Sequence, residues 1–156
     1  MLLSLGRMRV APLPILKILL VDDSHDGLVV RKMLLEELGF TVVTAASAAE
    51  ALRLFTPGVY GVVVTDYRMP EMNGTELIGR IRGMDPQARI ILLSGFVEPL
   101  GLTEQNTGAT VVIAKNARET VHLTRSVKRL MNALPPRKPA GKHTAGGPQA
   151  RGNLAN

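Results

Sequence analysis

The chain has no cysteine and no tryptophan, and only two tyrosines and three phenylalanines in 156 residues. Without cysteine there are no disulfides, no thiol nucleophile and no thiolate metal site. No run approaches the roughly 18 apolar residues that a membrane span requires. Leu2-Leu3-Ser4-Leu5 is too short for a signal-peptide core, and Arg7 and Arg9 follow it where they should precede it. The expectation is a soluble, cytoplasmic protein with no membrane partner. Aliphatic side chains must build the core, and an apolar fraction of 46% suffices for one domain of this length.

Acidic residues are missing from both ends. Before Ile18 stand Arg7, Arg9 and Lys17; after Leu134 stand Arg137, Lys138, Lys142 and Arg151. Setting those seven aside leaves 12 basic against 13 acidic residues, so the net charge of +6 belongs to the ends. Such a tail can hold polyanions weakly by counterion release. It carries no aromatic residue and no helical periodicity, so it reads as a solvated extension and nucleic acid is not an expected partner. Residues 1–14, with Pro12 and Pro14, read as an irregular leader, residues 15–133 as the domain, and residues 134–156 as a disordered Pro/Gly-rich tail.

Inside the domain, short β-branched runs alternate with helical patterns. Strands are expected over about 16–21, 40–44, 60–65, 89–93 and 110–114. The first helix should bury Leu28, Val29, Met33, Leu34 and Leu38 and stop at Gly39. Ser47 should cap a helix to Phe55 through a box with Glu50. A helix near 74–82 follows, and a last helix, capped by Asn116, runs to about Ala133 with Val121, Leu123, Val127, Leu130 and Met131 apolar. Residues 96–108 form the weakest helical segment, because Pro99, Gly101 and Gly108 all oppose propagation. Five βα units of this kind predict an α/β fold with a parallel sheet covered on both faces.

Polar residues stand where four of the runs end: Asp22-Asp23, Asp66, Ser94 and Lys115. In an open α/β sheet the ligand crevice lies at the carboxyl ends of the strands. Three carboxylates, a hydroxyl and an ammonium should therefore converge. All-oxygen donors suit Mg²⁺, which keeps several waters and shares a phosphate with one or two carboxylates. One carboxylate can then serve as nucleophile in a phosphoryl transfer. Lys115 supplies a point charge, Ser94 a hydroxyl donor, and Gly95 a backbone N–H.

Ile18-Leu-Leu-Val-Asp-Asp-Ser24, Val62-Val-Val-Thr-Asp-Tyr-Arg-Met-Pro-Glu-Met-Asn-Gly74, Leu92-Leu-Ser-Gly95 and Lys115 together resemble the receiver domain of bacterial two-component response regulators. The resemblance runs from about Leu16 to Asn132. It implies a flavodoxin-like (βα)5 fold with strand order 2-1-3-4-5. It also implies a phosphorelay module, Mg²⁺-dependent, with Asp66 phosphorylated by a histidine kinase. Asp23, Asp66 and the backbone carbonyl of Arg68 would ligate Mg²⁺, with Asp22 acting through water; Ser94 and Lys115 would contact the phosphoryl group. The side chain at the Arg68 position tunes dephosphorylation in this family. The implied partners are a histidine kinase or histidine phosphotransfer protein, and a downstream protein target. No output domain is expected in the short remainder.

Two positions depart from the family pattern. Val112 stands where an aromatic usually sits, and Asn116 replaces the proline that usually follows the lysine in a cis peptide. A non-proline cis bond costs about 2.5–4 kcal/mol, so a trans bond or a strained loop is expected.

Taken singly, each site residue has a plain structural reading. An Asp-Asp pair is often a turn or cap, Ser94-Gly95 is ordinary loop chemistry, and His25 reads as a solvated loop histidine. The conjunction carries the function. Two alternatives compete with it. A Mg²⁺-dependent aspartyl phosphohydrolase would need a second acid two residues after the nucleophile, where Arg68 stands. A DNA-binding regulator would need the basic tail to fold.

Overall fold

A computed structural model describes residues 16–133; the leader over 1–14 and the basic tail over 134–156 lie outside the described residues. The strands are β1 (Lys17–Val21), β2 (Thr41–Ala45), β3 (Tyr60–Asp66), β4 (Ile90–Ser94) and β5 (Val111–Ala114). Between and after them come α1 (His25–Glu37), α2 (Ala48–Leu54), α3 (Gly74–Met84), the pair α4 (Val97–Leu100) and α5 (Glu104–Thr107), and α6 (Glu119–Asn132). All pairings are parallel, in the order β2-β1-β3-β4-β5. This is the doubly wound, flavodoxin-like order that the sequence predicts.

Alternation along the strands splits the core into two layers. Leu19, Val21, Val63, Ile90 and Leu92 meet Ala48 and Ala51 of α2 and Leu77, Ile78 and Ile81 of α3. Ile18, Leu20, Val62, Val64, Ile91 and Leu93 meet Leu28 and Leu35 of α1 and Leu123, Val127 and Leu130 of α6. Strands buried on both faces have no polar side to show, which is why they read as continuous apolar runs. Each such aliphatic contributes about 1.5–3 kcal/mol by leaving water.

Several local expectations need correction. In α1, Val29 and Met33 are 42% and 58% exposed. The covered row is Leu28, Arg31, Leu35 and Leu38, so a charged residue occupies a core-face position. Aliphatic spacing alone misses this row because Arg31 holds its place on it through ion pairs. Gly39 stands one residue beyond the cap Leu38, at φ 91°, while the N–H of Phe40 returns to the carbonyl of Leu35. Ser47 caps α2 as expected, but the Glu50 carboxylate accepts from the N–H of Ala46, not of Ser47.

Residues 96–108 form two four-residue helices instead of one, each ended by a left-handed glycine, Gly101 at φ 59° and Gly108 at φ 77°. Thr103 and Asn106 close a reciprocal capping box on α5. Asn116 does not cap α6. Its side chain accepts from the N–H of Arg118 at 2.8 Å, and Arg118 holds the cap position. Val121 is 56% exposed. No peptide bond among the described residues is cis, so the Lys115–Asn116 bond takes the trans alternative.

Candidate functional site

Asp66 and Ser94 are the last residues of β3 and β4, Lys115 follows β5 and Asp22 follows β1, so parallel pairing brings all four to one edge. The loop after β3 folds back under that edge. Gly74 donates its N–H to the Tyr67 carbonyl at 2.7 Å, and a Cβ at Gly74 would stand 2.5 Å from the Asp66 carbonyl oxygen. Only glycine permits that approach, and Asn73 caps α3 beside it through the N–H of Glu76. Asp66 is therefore fixed from both sides.

Carboxylate oxygens of Asp22, Asp23 and Asp66 lie within 4.8 Å of one another. Lys115 Nζ stands 2.8 Å from Asp66 Oδ1, and the N–H of Tyr67 donates to the same oxygen at 2.9 Å. Among the described residues no donor reaches Asp66 Oδ2. Burial pushes the Asp66 carboxyl above its ordinary range, and the negative charge of Asp22 adds to the rise. Lys115 and the Tyr67 N–H pull it back without cancelling the burial.

The crevice beside these acids has a volume of about 330 Å³ and is lined by Asp23, Asp66, Arg68, Ser94, Gly95, Phe96 and Lys115. Ser94 Oγ accepts from the N–H of Phe96 at 2.9 Å, which leaves its O–H proton free to donate. The Arg68 guanidinium lies 4.1 Å from the centre of the Phe96 ring, a cation–π stack. Every residue singled out from the sequence reaches this edge. Asp22 is the most buried of the three acids, 2% exposed, with both oxygens engaged. Its Oδ1 accepts from the N–H of Ser24 at 2.9 Å and its Oδ2 from Arg31 at 2.7 Å. His25 is exposed at the start of α1, as a solvated histidine should be.

Sequence reasoning misses Arg31, Glu119 and Phe96. The signal for Arg31 is its spacing, since it falls between Leu28 and Leu35 on the core face of α1, where a lone cation calls for a partner. Glu119 and Phe96 carry no local signal, because their partners come from distant parts of the chain.

Residues 18–128 match the response regulator receiver domain. The C4-dicarboxylate transport transcriptional regulatory protein DctD of Rhizobium meliloti is 37% identical over 99 residues, 63% of this chain and 22% of its own length. The aerobic respiration control sensor protein ArcB of Escherichia coli is 39% identical over 66 residues, 42% of this chain and 8% of its own length. The chain thus spans less than a quarter of either relative. The response regulator TrrA of Thermotoga maritima, solved in complex with Mg(2+)-BeF, superposes with a TM-score of 0.65 at 32% identity, covering 74% of this chain and 98% of that one. No helix among the described residues is long and apolar enough to cross a membrane. With β1 through most of α6 inside the matched span, the chain belongs to the response regulator receiver domain family, the signalling modules of two-component systems.

Proposed function

We propose that Asp66 accepts a phosphoryl group from the phosphohistidine of a histidine kinase or a histidine phosphotransfer protein, in a Mg²⁺-dependent reaction. The observation that carries this is the placement of Asp66: hydrogen-bonded to Lys115 at 2.8 Å, within 4.8 Å of two further carboxylates, and open to a crevice of about 330 Å³. A donor set made only of oxygen fits Mg²⁺ and fits no soft metal. Asp23, Asp66 and the backbone carbonyl of Arg68 would hold the ion, with Asp22 acting through water. When bound, Mg²⁺ offsets the charge of the carboxylates and of the phosphoryl oxygens.

The chain's own residues supply the rest. A carboxylate oxygen of Asp66 attacks phosphorus, the P–O bond forms as the P–N bond breaks, and the imidazole leaves with the electron pair and takes up a proton. Lys115 moves its hydrogen bond from the carboxylate to a phosphoryl oxygen, where a charge-assisted bond is strongest. Ser94 donates its free O–H to a second oxygen, and Gly95, which lines the crevice, would add its N–H. Arg68, stacked on Phe96, flanks the crevice and bears on how long the acyl phosphate survives water.

The product replaces a carboxylate by a dianionic group and acts through protein contacts or onward transfer of the phosphoryl group. Turnover of an external phosphate ester gains no support, since Arg68 stands where a second acid would protonate the leaving group. The test is intact mass after incubation with acetyl phosphate. One hydroxylamine-labile phosphoryl adduct is expected with Mg²⁺, and none with chelator or in Asp66→Asn. An adduct of equal yield in Asp66→Asn overturns the reading.

A further inference from the structure

Asp22 is the most buried of the three acids, and its engagement with Arg31 is built, not incidental. Arg31 Nη1 donates to Asp22 Oδ2 at 2.7 Å, while Nε and Nη2 of the same guanidinium donate to Glu119 Oε1 at 3.0 and 2.6 Å. One cation is thus shared between a member of the acid cluster and the first residue of α6. The Arg31 side chain is only 13% exposed, on the row between Leu28 and Leu35. A charge so placed is tolerated only when paired. Gly27 makes the path for it. A Cβ there would stand 2.7 Å from Asp22 Oδ2 and 2.8 Å from Arg31 Nη1.

We propose that Arg31 is a positioning residue that competes with the divalent cation for the charge of Asp22, and that Glu119 sets how strongly it competes. The inference rests on reading the acid cluster as a divalent-cation site. Two cations that draw on one carboxylate weaken each other's hold. Glu119 offers the guanidinium a second anion and so lowers its demand on Asp22. The coupling is reciprocal: whatever engages Glu119 at the start of α6 changes cation affinity, and the cation changes how Glu119 is held. The helical face formed by α1 and α6 is thereby linked to the crevice without any contact to the phosphoryl group.

The test is titration calorimetry of the full chain with Mg²⁺ alone. Arg31→Met is expected to bind Mg²⁺ about fivefold tighter than the wild type, and Glu119→Gln about threefold weaker. A merely structural role for the bridge would move Arg31→Met and Glu119→Gln in the same direction. Circular dichroism and thermal melts of each variant guard against a folding artefact. Equal affinities in all three proteins, or shifts of one sign, overturn the competition while the cation site stands. A wild type that binds no Mg²⁺, indistinguishable from Asp23→Asn, overturns the site reading itself and the proposal with it.

Discussion

Two flanking regions, the α1–α6 face of the sheet and the segment between β4 and β5, are held in different ways. On one side α1 and α6, of 13 and 14 residues, bury Leu28, Leu35, Leu123, Val127 and Leu130 and are tied to the acid cluster through Arg31. On the other, α4 buries nothing and α5 buries only Thr107; both are four residues long and end in left-handed glycines. Hydrogen bonds do most of the holding there: the Thr103–Asn106 box, and the Glu104 carboxylate accepting from the N–H of Val112 on the edge strand β5. Few buried apolar contacts mean a low local opening energy. The acid chemistry is anchored to the rigid flank, and the soft flank meets the crevice only through Ser94, Gly95 and Phe96.

Val112 sharpens the contrast. It is partly buried against the α2–α3 layer, and valine is stiff about its single χ angle. Position 112 therefore has no ring to swing between buried and exposed positions.

The largest effect is expected from Lys115→Ala, which should slow phosphorylation of Asp66 by roughly 10²-fold, while Thr103→Ala leaves the rate within about twofold. A time course of adduct formation from acetyl phosphate reads both, and equal losses would erase the distinction between the flanks. Next, Gly74→Ala should cost about 2–3 kcal/mol, because the new methyl meets backbone at 2.5 Å. Gly79, where a methyl would find nothing within 4 Å, should gain about 0.5–1 kcal/mol as alanine. Urea midpoints that move together would contradict the close packing beneath Asp66.

Thr103→Ala should cost about 1 kcal/mol, confined to its own flank. Hydrogen exchange should quicken over residues 97–107 and stay unchanged in α1 and α6; a global change would mean the flanks are one cooperative unit. The smallest effect is the pH dependence of Asp66. Its carboxyl is raised by burial, so the metal-free folded state holds the proton more tightly than the unfolded state. Stability is therefore highest with Asp66 protonated and falls as pH rises through the raised value. Asp66→Asn should be the more stable protein at pH 7 without Mg²⁺, and its advantage should shrink as pH falls to about 4. An advantage independent of pH would contradict the assignment.

The fold and the crevice were legible because each rests on local pattern. Apolar runs ending in Asp22, Asp66, Ser94 and Lys115 specify both the strands and the edge where they meet. The Ser47 cap, whose partner lies three residues away, was likewise within reach. What the pattern hides is contact at long range. Arg31 reaches Glu119 across 88 positions, and Arg68 finds Phe96 across α3 and β4. Periodicity misled at Val29 and Met33, where aliphatic residues face solvent while an arginine takes the covered row.

The most direct measurement is to locate the phosphoryl group. Borohydride reduction of the acyl phosphate converts the modified aspartate to homoserine, which peptide sequencing by mass spectrometry identifies. Homoserine at position 66, formed only with Mg²⁺ and phosphodonor, is the predicted result. Homoserine at 22 or 23, or at no position, would contradict the account.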